Sequence, residues 1–272
     1  MIKKCVIPIA GKGTRFLPIT KVISKEMLPI LNVPTIYLQV KEAYLSGIRE
    51  IIFVVNKNNY ELIKKFFTLD YELNEFLEND NKLDFILELN EIITNTKFHY
   101  VFQDENLRGS AGAVYAAKDY LDENEFFGVI FGDDLIISNK PPLKELMEIS
   151  LKYNSQVVGI NEVGEDKLLV TSMCKYDSEN NLEDFIPYNK DFSYKETLCG
   201  RLIVNKNVLE NIDNIKKDHK REGALHRLMM TSCDKIKVCK INGSYFDIGS
   251  VKGYLNANIE FGKKEGLLWK KI

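Results

Sequence analysis

Cys5-Val-Ile-Pro-Ile-Ala-Gly-Lys-Gly-Thr-Arg-Phe-Leu-Pro-Ile-Thr-Lys-Val-Ile-Ser-Lys-Glu-Met-Leu-Pro29 joins a short apolar run to a glycine-bearing turn trailed by cations. Residues 5–9 have the length and composition of a buried parallel strand. Gly11 and Gly13 interrupt any helix, and a glycine lets the backbone take positive φ or admit a ligand closely. Successive N–H groups in such a turn can form an anion nest. Arg15 offers forked, planar donors to phosphate, and Lys21 and Lys25 are mobile point charges for the same purpose. The combination suits the phosphates of a nucleotide, although an ordinary strand–turn with surface cations has the same local composition. The spacing is neither of the two common nucleotide loops. G-x-x-x-x-G-K-[ST] is absent here, and G-x-G-x-x-G fails because position 16 is Phe.

Outward from this stretch, strands and helices alternate. Residues 36–46 predict a helix with Ile36, Val40, Ala43 and Tyr44 on one stripe, stopped at Gly47. Residues 51–55, 99–103, 127–131 and 156–160 read as further short apolar strands. Helices are expected at 59–67, 71–78, 110–121 and 142–153. Such alternation gives a parallel sheet covered on both faces, and sheets of this kind bind ligands beyond the carboxyl ends of their strands. The later chain is less regular. Strands are expected at 168–176, 197–204 and 235–241, and helices at 206–215, 223–231 and 253–265.

Length and charge narrow the classes. The chain has 272 residues, enough for one large α/β domain, and 45% hydrophobic residues, ordinary for a sizeable core. A net charge of −2 gives no bulk basic surface for nucleic acid. No apolar run reaches membrane-spanning length, and no signal peptide is visible. Five scattered cysteines without a C-x-x-C pair read as reduced thiols of a cytoplasmic protein. Three histidines without metal spacing argue against a histidine-based zinc site.

Candidate chemistry sits at strand ends. Asp133 follows Val129-Ile-Phe-Gly132, and Asp247 lies in Tyr245-Phe-Asp-Ile-Gly249. Two such carboxylates can hold one Mg²⁺ against phosphates; a strand-end aspartate can equally bond loop amides. Gln103 has an amide able to read a pyrimidine edge, or simply to face solvent. Gly109 and Gly112 suit close helix packing.

Gly11-x-Gly-Thr-Arg-x-Leu-Pro-x-Thr-Lys21 followed by Lys25-Glu-Met-Leu-Pro29 resembles the bacterial UTP–glucose-1-phosphate uridylyltransferases, among the sugar-nucleotide pyrophosphorylases. The resemblance continues through Glu61-Leu-Ile-Lys-Lys-Phe-Phe67, Tyr71-Glu-Leu73, Gln103, Gly132-Asp-Asp134, Phe246-Asp-Ile-Gly249 and Gly253-Tyr-Leu. It implies a Rossmann-like α/β/α nucleotidyltransferase fold of the glycosyltransferase-A type with a mostly parallel sheet. The fold would form a single domain over 1–272, with a nucleotide half (1–160) and an acceptor half with the closing helix (161–272). It also implies a reaction, UTP + glucose 1-phosphate giving UDP-glucose and pyrophosphate with Mg²⁺, in a homodimer or homotetramer. By motif position Ala10, Gly11, Gly13, Thr14, Glu26, Gln103 and Gly109 would hold the nucleotide. Arg15 and Lys25 would serve the triphosphate as the catalytic cations, Asp133 and Asp247 the metal, and Gly200 and Lys190 the acceptor.

The second half departs from the family pattern. Where the family carries Tyr-Gly-Val/Ile, this chain has Lys167-Leu-Leu-Val-Thr171. Where it carries Val-Glu-Lys-Pro, this chain has Asp184-Phe-Ile-Pro-Tyr-Asn-Lys190. The nucleotide and metal positions are kept and the sugar positions are rebuilt. The expectation is therefore a uridylyltransferase. The alternatives are transfer to a different phosphorylated acceptor and a nucleotide-binding homologue without turnover.

Overall fold

The computed structural model describes residues 1–164, 172–187, 195–213, 224–232 and 235–266. The chain starts with β1 (Lys4–Pro8), the short β2 (Pro29–Ile30) and β3 (Val33–Pro34), α1 (Thr35–Leu45) and β4 (Glu50–Val55). Next come α2 (Tyr60–Phe66), α3 (Tyr71–Asn79), α4 (Leu87–Asn95), β5 (Lys97–Phe102) and α5 (Gly109–Tyr115). Then follow β6 (Phe126–Ile130), β7 (Asp134–Ile137), α6 (Pro142–Tyr153), β8 (Gln156–Glu162), β9 (Ser172–Tyr176), β10 (Leu182–Pro187) and β11 (Glu196–Asn205). The described chain ends with α7 (Leu225–Ser232), β12 (Ile236–Lys240), β13 (Ser244–Asp247) and α8 (Val251–Lys264).

The main sheet has nine strands among the described residues, and β1 lies near its middle between β4 and β6. Both of these neighbours are parallel to β1, and β5 extends the parallel set beyond β4. Direction reverses at β11, which runs antiparallel to β6 on one edge and to β8 on the other. β12 then pairs parallel with β8. The sheet is thus parallel in the half that carries the glycine turn and mixed beyond it. β11 also touches β9 through Thr197, and its pairing with β8 shifts register between Leu198 and Leu202. Gly200, with φ of 68°, sits in that irregularity.

Alternate side chains of β1 enter different cores. Cys5 and Ile7 pack with Ile36 and Val40 of α1, Ile63 of α2 and Leu143 and Leu146 of α6. Val6 packs on the other face with Val114 of α5, Phe127 and Val129 of β6, and Leu228 of α7. Both faces of the strand are therefore covered, which is why β1 reads as an unbroken apolar run rather than an alternating one.

Several elements differ from the sequence expectation. The helix expected to reach residue 121 ends at Tyr115, and the chain continues as a separate 3-10 turn, Lys118–Tyr120. Residues 206–211 form a 3-10 helix in place of an α-helix. α4, β7, β10 and β13 have no counterpart in the sequence reading. α4 buries only Ile92, so its stripe is faint. β7 and β13 pair with each other, and each has only four residues. Residues 168–171, 214–215 and 223, expected in regular structure, lie outside the described residues. Cys5, Cys174, Cys199 and Cys239 are free and buried, in line with reduced thiols.

Candidate active site

The glycine turn is built at the carboxyl end of β1 and pinned from β4. Asn59 donates Nδ2–H to the Ile9 carbonyl at 2.7 Å, and Asn56 donates to the Ala10 carbonyl at 2.9 Å. Gly13 takes a left-handed conformation (φ 63°) ahead of the 3-10 turn Thr14–Phe16. Its carbonyl accepts from Thr20 Oγ1 at 2.8 Å, and a Cβ there would approach Thr20 Cγ2 to 3.1 Å. A side chain at residue 13 would thus meet both backbone strain and crowding. Over Gly11 lies Lys25: a Cβ on the glycine would stand 3.8 Å from Lys25 Nζ.

Asp133 enters from the loop between β6 and β7. Asp247 is the last residue of β13, whose antiparallel register sets it opposite Asp134. That pairing brings the two aspartates to the same place. A Cβ on Gly249 would lie 2.9 Å from Asp133 Oδ2 and 3.1 Å from Asp247 Oδ1, so the missing side chain leaves room between the carboxylates. Lys25 Nζ donates to Asp133 Oδ2 at 2.9 Å. Arg15, mostly exposed, bridges the pair, with its guanidinium 3.9 Å from Asp133 and 4.0 Å from Asp247. The structure therefore gathers Arg15, Lys25, Asp133 and Asp247 into one cluster of alternating charge. Burial pushes the Asp133 carboxyl up, but the charge and hydrogen bond of Lys25, with help from Arg15, hold it below the usual range. Burial disfavours the Lys25 ammonium, and Asp133 and Glu26 more than offset this, so it stays charged.

Glu26 lies beneath the cluster with 1% of its surface exposed. The Ser24 hydroxyl donates to Oε2, and Oε1 has no hydrogen-bond partner among the described residues. Burial pushes its pKa up to about 7 against the opposing charge of Lys25. Gln103, at the end of β5, donates Nε2–H to the carbonyls of Leu107 (2.9 Å) and Gly109 (3.3 Å), closing the loop before α5. Its amide oxygen is the atom left to face a ligand. Gly109 has φ of 85° at the start of α5. Gly112 is forced by close approach, since a Cβ would sit 2.1 Å from the Leu107 carbonyl oxygen.

A second, buried layer supports the cluster, and sequence reasoning did not find it. Arg201 of β11 is fully buried and grips Glu42 of α1 through Nε (2.9 Å) and NH2 (2.7 Å). It also donates to the Asp134 carbonyl at 3.0 Å. Asp134 accepts from the Tyr245 hydroxyl, and burial together with the Asp133 charge pushes its pKa up to about 7. Gly200, expected at the acceptor, packs on this layer: a Cβ there would lie 2.1 Å from Asp134 Oδ2. Its lack of a side chain is thus required by Asp134 whatever else it contacts. Gln39, also unforeseen, donates to the Gly132 carbonyl at 2.6 Å and so holds the turn into Asp133. The only signals in sequence were Arg201 beside a glycine and Tyr245 two residues before Asp247. Lys190 lies outside the described residues.

Among the described residues no group of three or more His, Cys, Asp or Glu side chains could enclose a metal ion. Asp133 and Asp247 offer two hard carboxylates facing the side-chain-free space at Gly249. That donor set fits a small divalent cation that takes its other ligands from water and phosphate.

The fold and this site define a nucleotide-transferring enzyme. The family model for nucleotidyl transferases matches residues 4–264. A UTP–glucose-1-phosphate uridylyltransferase of Staphylococcus epidermidis is 31% identical, the match covering 97% of this chain and 93% of that one. A crystal structure of UDP-glucose pyrophosphorylase complexed with UDP-glucose superposes with a TM-score of 0.83 at 31% identity, covering 97% of this chain and all of that one. A UTP-bound UGPase from Acinetobacter baumannii gives a TM-score of 0.86 at 25% identity, covering 97% and 94% of the two chains. The chain belongs to the UTP–glucose-1-phosphate uridylyltransferase family of nucleotidyl transferases.

Proposed function

We propose that this protein converts UTP and glucose 1-phosphate to UDP-glucose and pyrophosphate. The observation that carries the reading is the cluster at the strand ends. Two cations, Arg15 and Lys25, stand beside a glycine turn and face two carboxylates, Asp133 and Asp247. The names of the relatives and the ligands of the neighbouring structures support the same reaction.

In this reading a phosphate oxygen of the sugar phosphate attacks the α-phosphorus of UTP. A new P–O bond forms, and the bond to the bridging α,β-oxygen breaks with its electron pair leaving on pyrophosphate. No protein nucleophile takes part, so catalysis is alignment and charge neutralisation. Arg15 and Lys25 neutralise the triphosphate, and Asp133 orients Lys25 through their 2.9 Å bond. The backbone at Ala10, Gly11, Gly13 and Thr14 supports the nucleotide, and Glu26, Gln103 and Gly109 hold the uridine. Gln103 meets a base N–H through its amide oxygen, because its nitrogen is committed to the loop. Asp133 and Asp247 would hold Mg²⁺, which when bound neutralises phosphate charge. Gly200 and Lys190 serve the acceptor within a single domain over 1–272. The family resemblance supports a homodimer or homotetramer in the cytoplasm. No helix among the described residues is long and apolar enough to cross a membrane.

A pyrophosphate-release assay with UTP, Mg²⁺ and glucose 1-phosphate tests the reading. Turnover is expected, and it should depend on both substrates. Absence of release with glucose 1-phosphate, alongside turnover of a different sugar phosphate or none at all, overturns it.

A further inference from the structure

The glycine turn takes its direction from two asparagines that follow β4. Asn59 is buried and Asn56 half-buried. Asn59 holds the Ile9 carbonyl at 2.7 Å, and Asn56 holds the Ala10 carbonyl at 2.9 Å. Each amide is also used at its oxygen. Asn59 Oδ1 accepts from the Asn56 N–H at 2.9 Å. Asn56 Oδ1 accepts from the N–H groups of Asn58 (2.8 Å) and Asn59 (3.1 Å). The orientation of both amides is thereby set, because reversing either would place N–H against N–H and oxygen against oxygen. The two side chains form one clamp. Their oxygens close their own loop, and their nitrogens grip consecutive carbonyls of the turn.

A trans peptide is planar, with its C=O and the following N–H pointing in opposite directions. The peptide bonds after Ile9 and Ala10 are trans. With both carbonyls drawn to the β4–α2 loop, the N–H groups of Ala10 and Gly11 point away from it. Neither donates to an acceptor among the described residues. Ala10 is half-buried and Gly11 exposed, so this stretch of backbone is open to a ligand. Lys25 lies over the same glycine, with Nζ 3.8 Å from the position of a Cβ there. Two adjacent backbone donors and a buried cation are thus presented together, which suits oxygens that carry negative charge.

We propose that Asn56 and Asn59 are positioning residues for the nucleotide: by fixing the Ile9 and Ala10 carbonyls they aim the Ala10 and Gly11 N–H groups at oxygens of bound UTP. Neither side chain touches the nucleotide, and no chemical step is added. The proposal rests on the reading of the cluster as a UTP site. Donors that serve the ground and transition states equally contribute uniform binding, so misaiming them raises KM and leaves kcat alone.

Isothermal titration with UTP and Mg²⁺, without acceptor, tests the clamp on the native protein and on three variants. Asn56→Asp keeps the oxygen that closes the loop and turns a second oxygen toward the Ala10 carbonyl. Asn56→Ala removes both bonds without adding charge. Asn58→Asp places the same charge on an exposed neighbour that joins the loop through its backbone N–H. Both Asn56 variants should raise the Kd and KM for UTP by roughly tenfold, the scale of a lost charge-assisted hydrogen bond. Their kcat and KM for glucose 1-phosphate should stay within about twofold of native, as should every constant of Asn58→Asp. In ¹⁵N NMR spectra the Gly11 amide of the native protein should shift on addition of UTP, and shift less in Asn56→Asp at saturation. Native UTP affinity in both Asn56 variants, even with a lowered melting temperature, would make the clamp a folding feature and overturn the proposal. An equal loss in Asn58→Asp would trace the effect to charge and overturn it as well. A native Gly11 amide that does not move at saturating UTP overturns it without any variant. Absence of UTP binding to the native protein would instead overturn the nucleotide reading, and this proposal with it.

Discussion

Tyr245 donates its hydroxyl hydrogen to Asp134 Oδ1 across 2.5 Å, and this bond ties the strand that carries Asp247 to the strand that follows Asp133. Asp133 and Asp247, the aspartates proposed to hold the metal, thus owe their relative position to a pair of residues beside them. Removing the hydroxyl in Tyr245→Phe leaves Asp134 Oδ1 buried without that donor, at a cost of about 1–3 kcal/mol. The expected outcome is a lower melting temperature together with a raised Mg²⁺ concentration for half-maximal turnover. A variant that loses stability but keeps its Mg²⁺ dependence would assign the bond to folding alone.

Gly249 controls the gap between the same aspartates more directly. A methyl group there would fall 2.9 Å from Asp133 Oδ2 and 3.1 Å from Asp247 Oδ1. Gly249→Ala should therefore depress turnover and weaken Mg²⁺ activation, while far-ultraviolet circular dichroism stays native. Unchanged activity would mean that the space between the carboxylates is not used.

Lys25 is the buried member of the cationic pair, with 15% of its side chain exposed against 60% for Arg15. A preorganised charge of this kind acts on the transition state with less competition from water, and deleting one such donor costs roughly 10²–10³ in kcat. Lys25→Met should show a loss of that order, and Arg15→Met a smaller one. Steady-state kinetics at saturating UTP and sugar phosphate would check the ranking. A larger loss at Arg15 would reverse the assignment of the principal cation.

The parallel half of the sheet was legible because its information is local. The β1 and β4 runs are apolar on both faces, and the turn chemistry of Gly11, Gly13, Arg15 and Lys25 lies within one short segment. The meeting of Asp133 with Asp247 was legible only as strand-end position plus resemblance. The pairing that creates it joins two four-residue strands whose key contact, Tyr245 to Asp134, spans 111 residues of sequence. Arg201 was harder still. An arginine in a strand reads as surface, and its burial makes sense only through Glu42, 159 residues away on α1. Lys167–Thr171 and Lys190, where the sequence departs from the family's sugar-binding pattern, lie outside the described residues.

The Glu42–Arg201 pair itself gives a stability test. Arg201→Met would leave the Glu42 carboxylate nearly buried without its guanidinium, and breaking such a pair costs about 3–5 kcal/mol. Glu42→Met/Arg201→Met removes the stranded charge and should recover part of that loss, short of all of it because Arg201 also serves the Asp134 carbonyl. Chemical denaturation of both variants measures the difference. A double variant less stable than the single one would show that the pair is not the source of the cost.

Glu26 makes stability depend on pH. Burial raises its folded pKa to about 7 from the ordinary glutamate value of 4.5, so between these values the folded chain holds a proton that the unfolded chain has released. Its contribution is therefore full below pH 4.5 and is lost as pH rises through about 7. A shift of that size corresponds to about 3 kcal/mol at about 1.4 kcal/mol per unit. Glu26→Gln keeps the shape and removes the titration. Relative to the native chain, the variant should gain stability steadily as melts are moved from pH 5 to pH 8, with most of the gain below neutrality. Asp134, also raised to about 7, titrates in both proteins and cancels in the comparison. A difference in melting temperature that stays flat across this range would mean that Glu26 is ionised in the folded protein throughout, with Lys25 and Ser24 sufficient to hold its charge.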